Sequence, residues 1–440
     1  MKNYIKYLFF FVIFVVTLFV GCSYFFSKNP EADIISSVAN EGNTSGEKKQ
    51  TLVFCYGGND LKNSLQTAII KFEEANPDVA VKTNQLPSST NLQKDYYASA
   101  LYSGDSSIDV FLADIVWTAE FSAAGWLLPL DIYFDKSVQN EFIPVSLENC
   151  KYKGRIYAIP GKIDVPMLYY RSDIISVPPK TNMQLIQLSQ QYRLNNRMKY
   201  GYVFTAQSYE GLVCVALEFI WNNGGIVIED DLVTINSPES IEGLQQLVDI
   251  VNSDVASMDV LNFQEEDARI AFQDNNALFM RNWPYAHSRM AASGSGISGK
   301  YAIAPLPIGP NGNISRGTLG GFGYMINSRT KNRDLAGEFI RWMTSYETQY
   351  NDARLSVALP ARKKIYDDTK LLGDNLWFKE LKAIVANSGI RPVSPSYSAI
   401  SESMQINFNN AVRRRISAKA AIENIESNMI HIRSLDKEYE

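Results

Sequence analysis

Apolar and polar positions switch between a two-residue and a 3.6-residue period along most of the chain, which predicts an α/β protein. Thr51–Tyr56 is an apolar strand run ending at Gly57-Gly58. Lys62–Ala75 has helical spacing and stops at Asn76-Pro77, because the residue before a proline is pushed out of the helical region. Val79–Thr83 alternates as a strand, Leu92–Tyr102 returns to helical spacing, and Ile108–Ala113 is a short buried strand running into Asp114. This succession implies right-handed crossovers and a mainly parallel sheet. Ligands of such sheets bind beyond the carboxyl ends of the strands, where Gly57-Gly58-Asn59 and Asp114 fall.

Tyr152-Lys153-Gly154-Arg155 is a turn between two short strands, and a second series then starts at Met167–Arg171. The second series takes in a helix around Thr181–Tyr192, strand Gly201–Phe204, helix Tyr209–Trp221 and a hairpin through Glu229-Asp230-Asp231. Helices Pro238–Val251 and Glu265–Gln273 then lead to strand Ala277–Met280. A Pro/Gly-rich stretch, Ala304–Gly312, breaks the pattern before strand Gly323–Asn327, helix Asp334–Thr344 and an all-helical C-terminal portion. Two α/β units separated by irregular crossings predict two lobes joined by more than one strand.

The N-terminus carries a different signal. Lys2 and Lys6 precede an apolar run from Tyr7 to Val20, which is export-signal architecture and short for a membrane span. The run ends in Phe19-Val20-Gly21-Cys22, which resembles the lipobox of bacterial lipoproteins, with Phe19 where Leu is usual. Residues 1–21 are therefore expected to be a signal peptide and Cys22 the lipidated N-terminus. Residues 22–50 form a polar tether, spanning about 30 Å as a random coil. An uncleaved signal anchor is the alternative. Both place the bulk of the chain outside the cytoplasm, on the outer face of the cytoplasmic membrane.

Composition narrows the function. With 440 residues, 12% aromatics and a net charge of −5, the chain has ample apolar surface to bury and no basic stretch suited to nucleic acid. Arg413-Arg414-Arg415 reads as a solvated helix end. Two histidines, His287 and His431, give no material for a histidine metal site, and no metal or organic cofactor is expected. Cys55, Cys150 and Cys214 sit in apolar stretches and read as buried free thiols. No Gly-x-x-x-x-Gly-Lys-Ser/Thr phosphate loop occurs.

A set of segments then becomes specific. Ile108–Trp117 is followed by Ala124-Gly125-Trp126-Leu127-Leu128-Pro129-Leu130, then by Ile163-Asp164 ahead of Leu168-Tyr169-Tyr170-Arg171. Tyr209-Glu210-Gly211, Arg281-Asn282-Trp283-Pro284-Tyr285, Ala304-Pro305-Leu306-Pro307, Thr318-Leu319-Gly320-Gly321-Phe322 and Arg391-Pro392-Val393 with Tyr397 complete it. In this order the chain resembles the extracytoplasmic sugar-binding proteins of ABC importers, most closely their trehalose/maltose-binding branch.

The resemblance implies a type II two-lobe clamp, each lobe a mainly parallel sheet flanked by helices. The first lobe would be 51–161 plus 311–347 and the second 166–306 plus 351–440. The hinge would lie near Pro160–Pro166, Ile308–Asn311 and Tyr346–Tyr350. It implies a monomer that captures an α-linked disaccharide or short oligosaccharide and delivers it to membrane permease subunits. Asp114 and Asp164 would accept sugar hydroxyls, Trp283 and Phe322 would cover C–H faces, and Gly320-Gly321 would let backbone amides approach. Arg391 and Tyr397 would bind hydroxyls, with Asn59, Thr90 and Lys162 nearby. Lys162 stands where the family has Tyr, and Phe322 where it has Trp. Three other readings remain: a sugar phosphate or amino sugar held by Lys162 and Arg391, an adhesive lipoprotein, or a glycosidase using Asp114 and Asp164.

Overall fold

The computed structural model describes residues 49–58, 62–87, 89–195, 198–292, 294–356, 358–374 and 378–438. The expected signal peptide, Cys22, most of the tether and Asn59 lie outside the described residues. No helix among the described residues is long and apolar enough to cross a membrane.

Thirteen strands are described. They are β1 (Gln50–Gly57), β2 (Val79–Leu86), β3 (Val110–Asp114), β4 (Lys151–Tyr152), β5 (Arg155–Ile156), β6 (Ala158–Asp164), β7 (Met167–Tyr170), β8 (Tyr200–Val203), β9 (Ile228–Glu229), β10 (Leu232–Val233), β11 (Ala277–Asn282), β12 (Ala302–Ala304) and β13 (Gly320–Ile326). One sheet has the order β2-β1-β3-β13-β6 and another β12-β7-β11-β8, with β4–β5 and β9–β10 as separate hairpins.

The expected parallel character holds for β2-β1-β3, linked by the helices Lys62–Ala75 and Thr90–Tyr102, and for β8 with β11. β13 instead runs antiparallel to both its neighbours, and β7 antiparallel to β11 and β12, so both sheets are mixed. The reason is connectivity. β13 arrives from the other sheet after the Pro/Gly-rich stretch rather than through a helical crossover, so nothing imposes parallel pairing on it.

Two apolar clusters fill the interior. In β7, Met167 and Tyr169 belong to one and Leu168 and Tyr170 to the other, the two-residue alternation of a strand covered on both faces. The helix Glu210–Asn222 is buried on nearly every side, as an all-round apolar helix must be. The helix Pro238–Val251 packs on it through Gly243, where any Cβ would lie 2.6 Å from the Phe219 carbonyl oxygen. Cys55, Cys150 and Cys214 are buried free thiols, and burial pushes the Cys55 thiol up to about 11.

Asp109 ties one end of the first sheet together. It is buried just ahead of β3; Val53 N–H donates to its Oδ2 at 2.8 Å, the Thr330 hydroxyl donates to Oδ1, and Asn332 Nδ2 lies 3.2 Å from both oxygens. Asp109→Ala would strand these donors in the interior, so it should cost about 3 kcal/mol or more of stability. Thr330→Val, which removes one donor and keeps its shape, should cost about 1 kcal/mol. Urea midpoints at unchanged m-value test both.

Candidate functional site

The two sheets meet end to end. β6 finishes at Asp164 and β7 begins at Met167, so only Val165 and Pro166 separate the sheets at this crossing. Because β13 is antiparallel to β3 and β6, its first residues lie at their carboxyl ends: Phe322 pairs with Asp114 and Lys162, and Gly320 with Asp164. On the other side β11 ends at Asn282, opposite Met167, and hands Trp283 to the same crossing. A Cβ at Gly320 would lie 3.4 Å from the Trp283 ring. Asp114, Lys162, Asp164, Gly320, Gly321, Phe322 and Trp283 are thus brought together.

Gly321 is required where it stands. Its φ is +125°, and a side chain would overlap the Lys162 carbonyl oxygen and come within 2.8 Å of Ile163 Cα. Phe322 is half-buried, and Lys162 Nζ lies 5.0 Å from its ring centre and 3.2 Å from Asp164 Oδ2. Lys162 therefore comes with a carboxylate and an aromatic face already attached.

Trp283 is held from two sides. The Arg281 guanidinium lies 4.5 Å from its ring centre, and its Nε1 lies 3.5 Å from Glu265 Oε1. Arg281 is itself anchored by Glu218 in a buried two-bond pair at 2.9 and 2.5 Å. The Tyr169 hydroxyl donates to the Trp283 carbonyl at 2.9 Å. The indole is neither a core residue nor a loosely held surface one.

Asp114 performs two tasks. It caps the short helix Ile115–Trp117, accepting from Val116 N–H at 3.0 Å, and the same Oδ1 accepts from Arg391 Nη2 at 3.1 Å. Burial pushes its carboxyl up, while the Arg391 charge and the Val116 bond oppose the shift. Burial works against the Arg391 cation, but Asp114 foremost among its neighbours more than compensates, so the guanidinium stays protonated.

Arg391 and Tyr397 are buried at 2% and 0% exposure, deeper than their sequence context suggests. Both bond to Glu210, at 2.8 and 2.5 Å. Trp117 packs edge-on against Tyr397 with ring centres 5.7 Å apart, and Lys94 sits over Trp117 at 4.9 Å. Thr90 opens the helix that carries Lys94 one turn later, so the two share a face of it.

Glu210, Glu218 and Glu265 carry much of this geometry, and the motif reading gave them no role. A signal did exist: Glu210 and Glu218 stand in an otherwise apolar helix at i and i+8, on one stripe, and Arg281 stands inside a buried strand. Charges at such positions demand partners. A cavity of about 420 Å³ lies elsewhere, between the β4–β5 turn, Val393–Pro395 and the helix Ala418–Glu438. Four of its charged groups pair with each other (Lys151 with Glu148 and Arg433 with Asp231), and Asp436 accepts from the Ser394 and Ser396 hydroxyls.

The chain is similar to known proteins over most of its length. Residues 58–350 match the family described as bacterial extracellular solute-binding protein. The chain belongs to that family. Its members are solute-binding proteins that act outside the cytoplasm. A probable ABC transporter-binding protein of Deinococcus radiodurans is 29% identical to this solute-binding protein over 367 residues, 80% of this chain and 86% of its own. The maltotriose-binding protein of Pyrococcus abyssi is 26% identical over 330 residues, covering 74% and 69%. Maltose-bound MalE3 of T. maritima superposes with a TM-score of 0.80 at 32% identity, covering 87% of this chain and 99% of that one. The GacH receptor of Streptomyces glaucescens shares the fold at a TM-score of 0.78 and 21% identity, covering 90% and 100%. The architecture is the type II periplasmic-binding-protein fold.

Asp352, on the helix Tyr346–Ser356, brings a further carboxylate under Lys162. Burial pushes it up to about 6, with the Ser64 hydroxyl and the Lys162 charge opposing. A carboxyl raised on folding favours its protonated form, so its contribution to stability is complete below about pH 4 and disappears as pH rises through about 6. Asp352→Asn should therefore match the wild type at pH 4 and exceed it at pH 8 by up to about 3 kcal/mol. Urea unfolding at both pH values measures the difference.

Proposed function

We propose that this solute-binding protein captures a neutral α-linked disaccharide or short oligosaccharide of the maltose or trehalose type and hands it to the membrane subunits of an ABC importer. It works as a monomer, anchored through lipidated Cys22 and a tether, with lobes of 51–161 plus 311–347 and 166–306 plus 351–440 closing on the sugar.

The observation that carries this reading is the convergence of Asp114 and Asp164 on Gly320–Phe322, the start of β13, with the Trp283 ring beside it. Carboxylates accept paired hydroxyls, glycines admit ring oxygens to the backbone, and an indole covers a C–H face. The names of two relatives support the class: one is a maltotriose-binding protein and another was solved with maltose.

Charge separates this reading from a sugar phosphate. Lys162 is paired with Asp164 at 3.2 Å, and Arg391 is shared between Asp114 at 3.1 Å and Glu210 at 2.8 Å. An anionic ligand would have to displace carboxylates that already neutralise both cations. Hydroxyl groups can instead bridge the existing ion pairs.

Calorimetry with maltose, maltotriose, trehalose and glucose 6-phosphate should show binding to at least one neutral sugar and none to the phosphate. Tighter binding of the phosphate would reject the reading. Trp283→Ala removes a stacking plate worth about 0.5–1.5 kcal/mol beyond its buried area, and Asp164→Ala removes bonds worth about 1.5–3 kcal/mol each. Each should weaken binding about tenfold or more, at about 1.4 kcal/mol per decade. The apo melting temperature should move little for Trp283→Ala, since the ring borders the cleft, and should fall for Asp164→Ala, which removes the carboxylate paired with Lys162. A Trp283→Ala protein that melts far lower and binds sugar normally would sink the assignment.

A further inference from the structure

Glu210 opens the helix Glu210–Asn222 and is 6% exposed. Three donors from one segment converge on its carboxylate. Arg391 Nη1 reaches Oε1 at 2.8 Å, the Tyr397 hydroxyl reaches the same oxygen at 2.5 Å, and the Ser401 hydroxyl donates to Oε2. Arg391 sends Nη2 to Asp114 Oδ1, and its Nε is buried with no hydrogen-bond partner among the described residues. Such a donor is costly unless an acceptor completes it.

An arginine facing one carboxylate normally closes on it as a fork, with two parallel N–H···O bonds. Here the fork is open: Asp114 takes one nitrogen and Glu210 another, and both bonds to Asp114 fall on Oδ1. We propose that Glu210 is a positioning residue for ligand binding. Its charge competes with Asp114 for the guanidinium, which stops Arg391 from closing on both oxygens of Asp114 and keeps Asp114 Oδ2 available as an acceptor to a ligand hydroxyl. The proposal rests on the sugar-binding reading of this site and deepens it, by naming what stops the Arg391–Asp114 pair from satisfying itself.

The test uses maltose as probe, with crystal structures and melting temperatures of each variant. Glu210→Gln keeps shape and removes charge: Arg391 should fold onto Asp114 with two bonds, and maltose affinity should fall at least tenfold. Cys214→Ala, one turn along the same buried stripe, should lower the melting temperature while affinity stays within twofold. Should Glu210→Gln not fold, Glu210→Asp keeps the charge one methylene short and should lose about threefold to tenfold. Arg391 unmoved with wild-type affinity in the Glu210 variants overturns the proposal, as does an affinity loss that tracks melting temperature across all variants, Cys214→Ala included. Wild-type protein with no affinity for maltose counts against the sugar reading alone, because the position of Arg391 in the Glu210→Gln crystal still decides the positioning role.

Discussion

Two residues, Val165 and Pro166, stand between the last residue of β6 and the first of β7. This short crossing forces the site ends of the two sheets to face each other across a few ångströms, and the rest of the site follows from it. Gly317 packs against the same crossing, where a Cβ would lie 2.8 Å from the Pro166 carbonyl oxygen. The returning chain therefore enters β13 at Gly320, beside Asp164. Trp283 reaches this place because β11 pairs with β7 in a register that sets Asn282 opposite Met167. Backbone pairing, not side-chain attraction, assembles the acids, the glycines and the indole.

Once assembled, the cluster is governed by charge. Arg391 and Lys162 are each held by carboxylates, and Arg281 is held by Glu218 beneath Trp283. In a medium that penalises unpaired charge, such pairs fix orientation more than they add stability. Trp283 stacks on a cation that cannot move, and Asp114 caps a helix while it meets Arg391. A site built this way is oriented before ligand arrives, so less ordering remains to be done on binding. Its cations are already matched, which suits a ligand of hydroxyls over one of phosphates.

The α/β class, the first crossovers, and the elements around Asp114 and Trp283 were legible in the chain, because periodicity and proline positions act locally. Lys62–Ala75 and Pro238–Val251 coincide with observed helices, and the buried cysteines are buried. The mixed direction of both sheets was not legible. It depends on which strand a returning segment meets, and no local pattern encodes that.

The site divides along the same line. The sequence by itself determined which side chains could carry the chemistry proposed for this site and that Asp114 would stand at a strand end, since residue type and strand boundary are properties of a short stretch. Only the tertiary structure decided that Lys162 is neutralised by Asp164, that Arg391 and Tyr397 are buried, and that Glu210 lies between them. Those facts join residues up to 187 positions apart. They follow from pairing register and helix packing, and a charge in the sequence carries no mark of the partner it will meet.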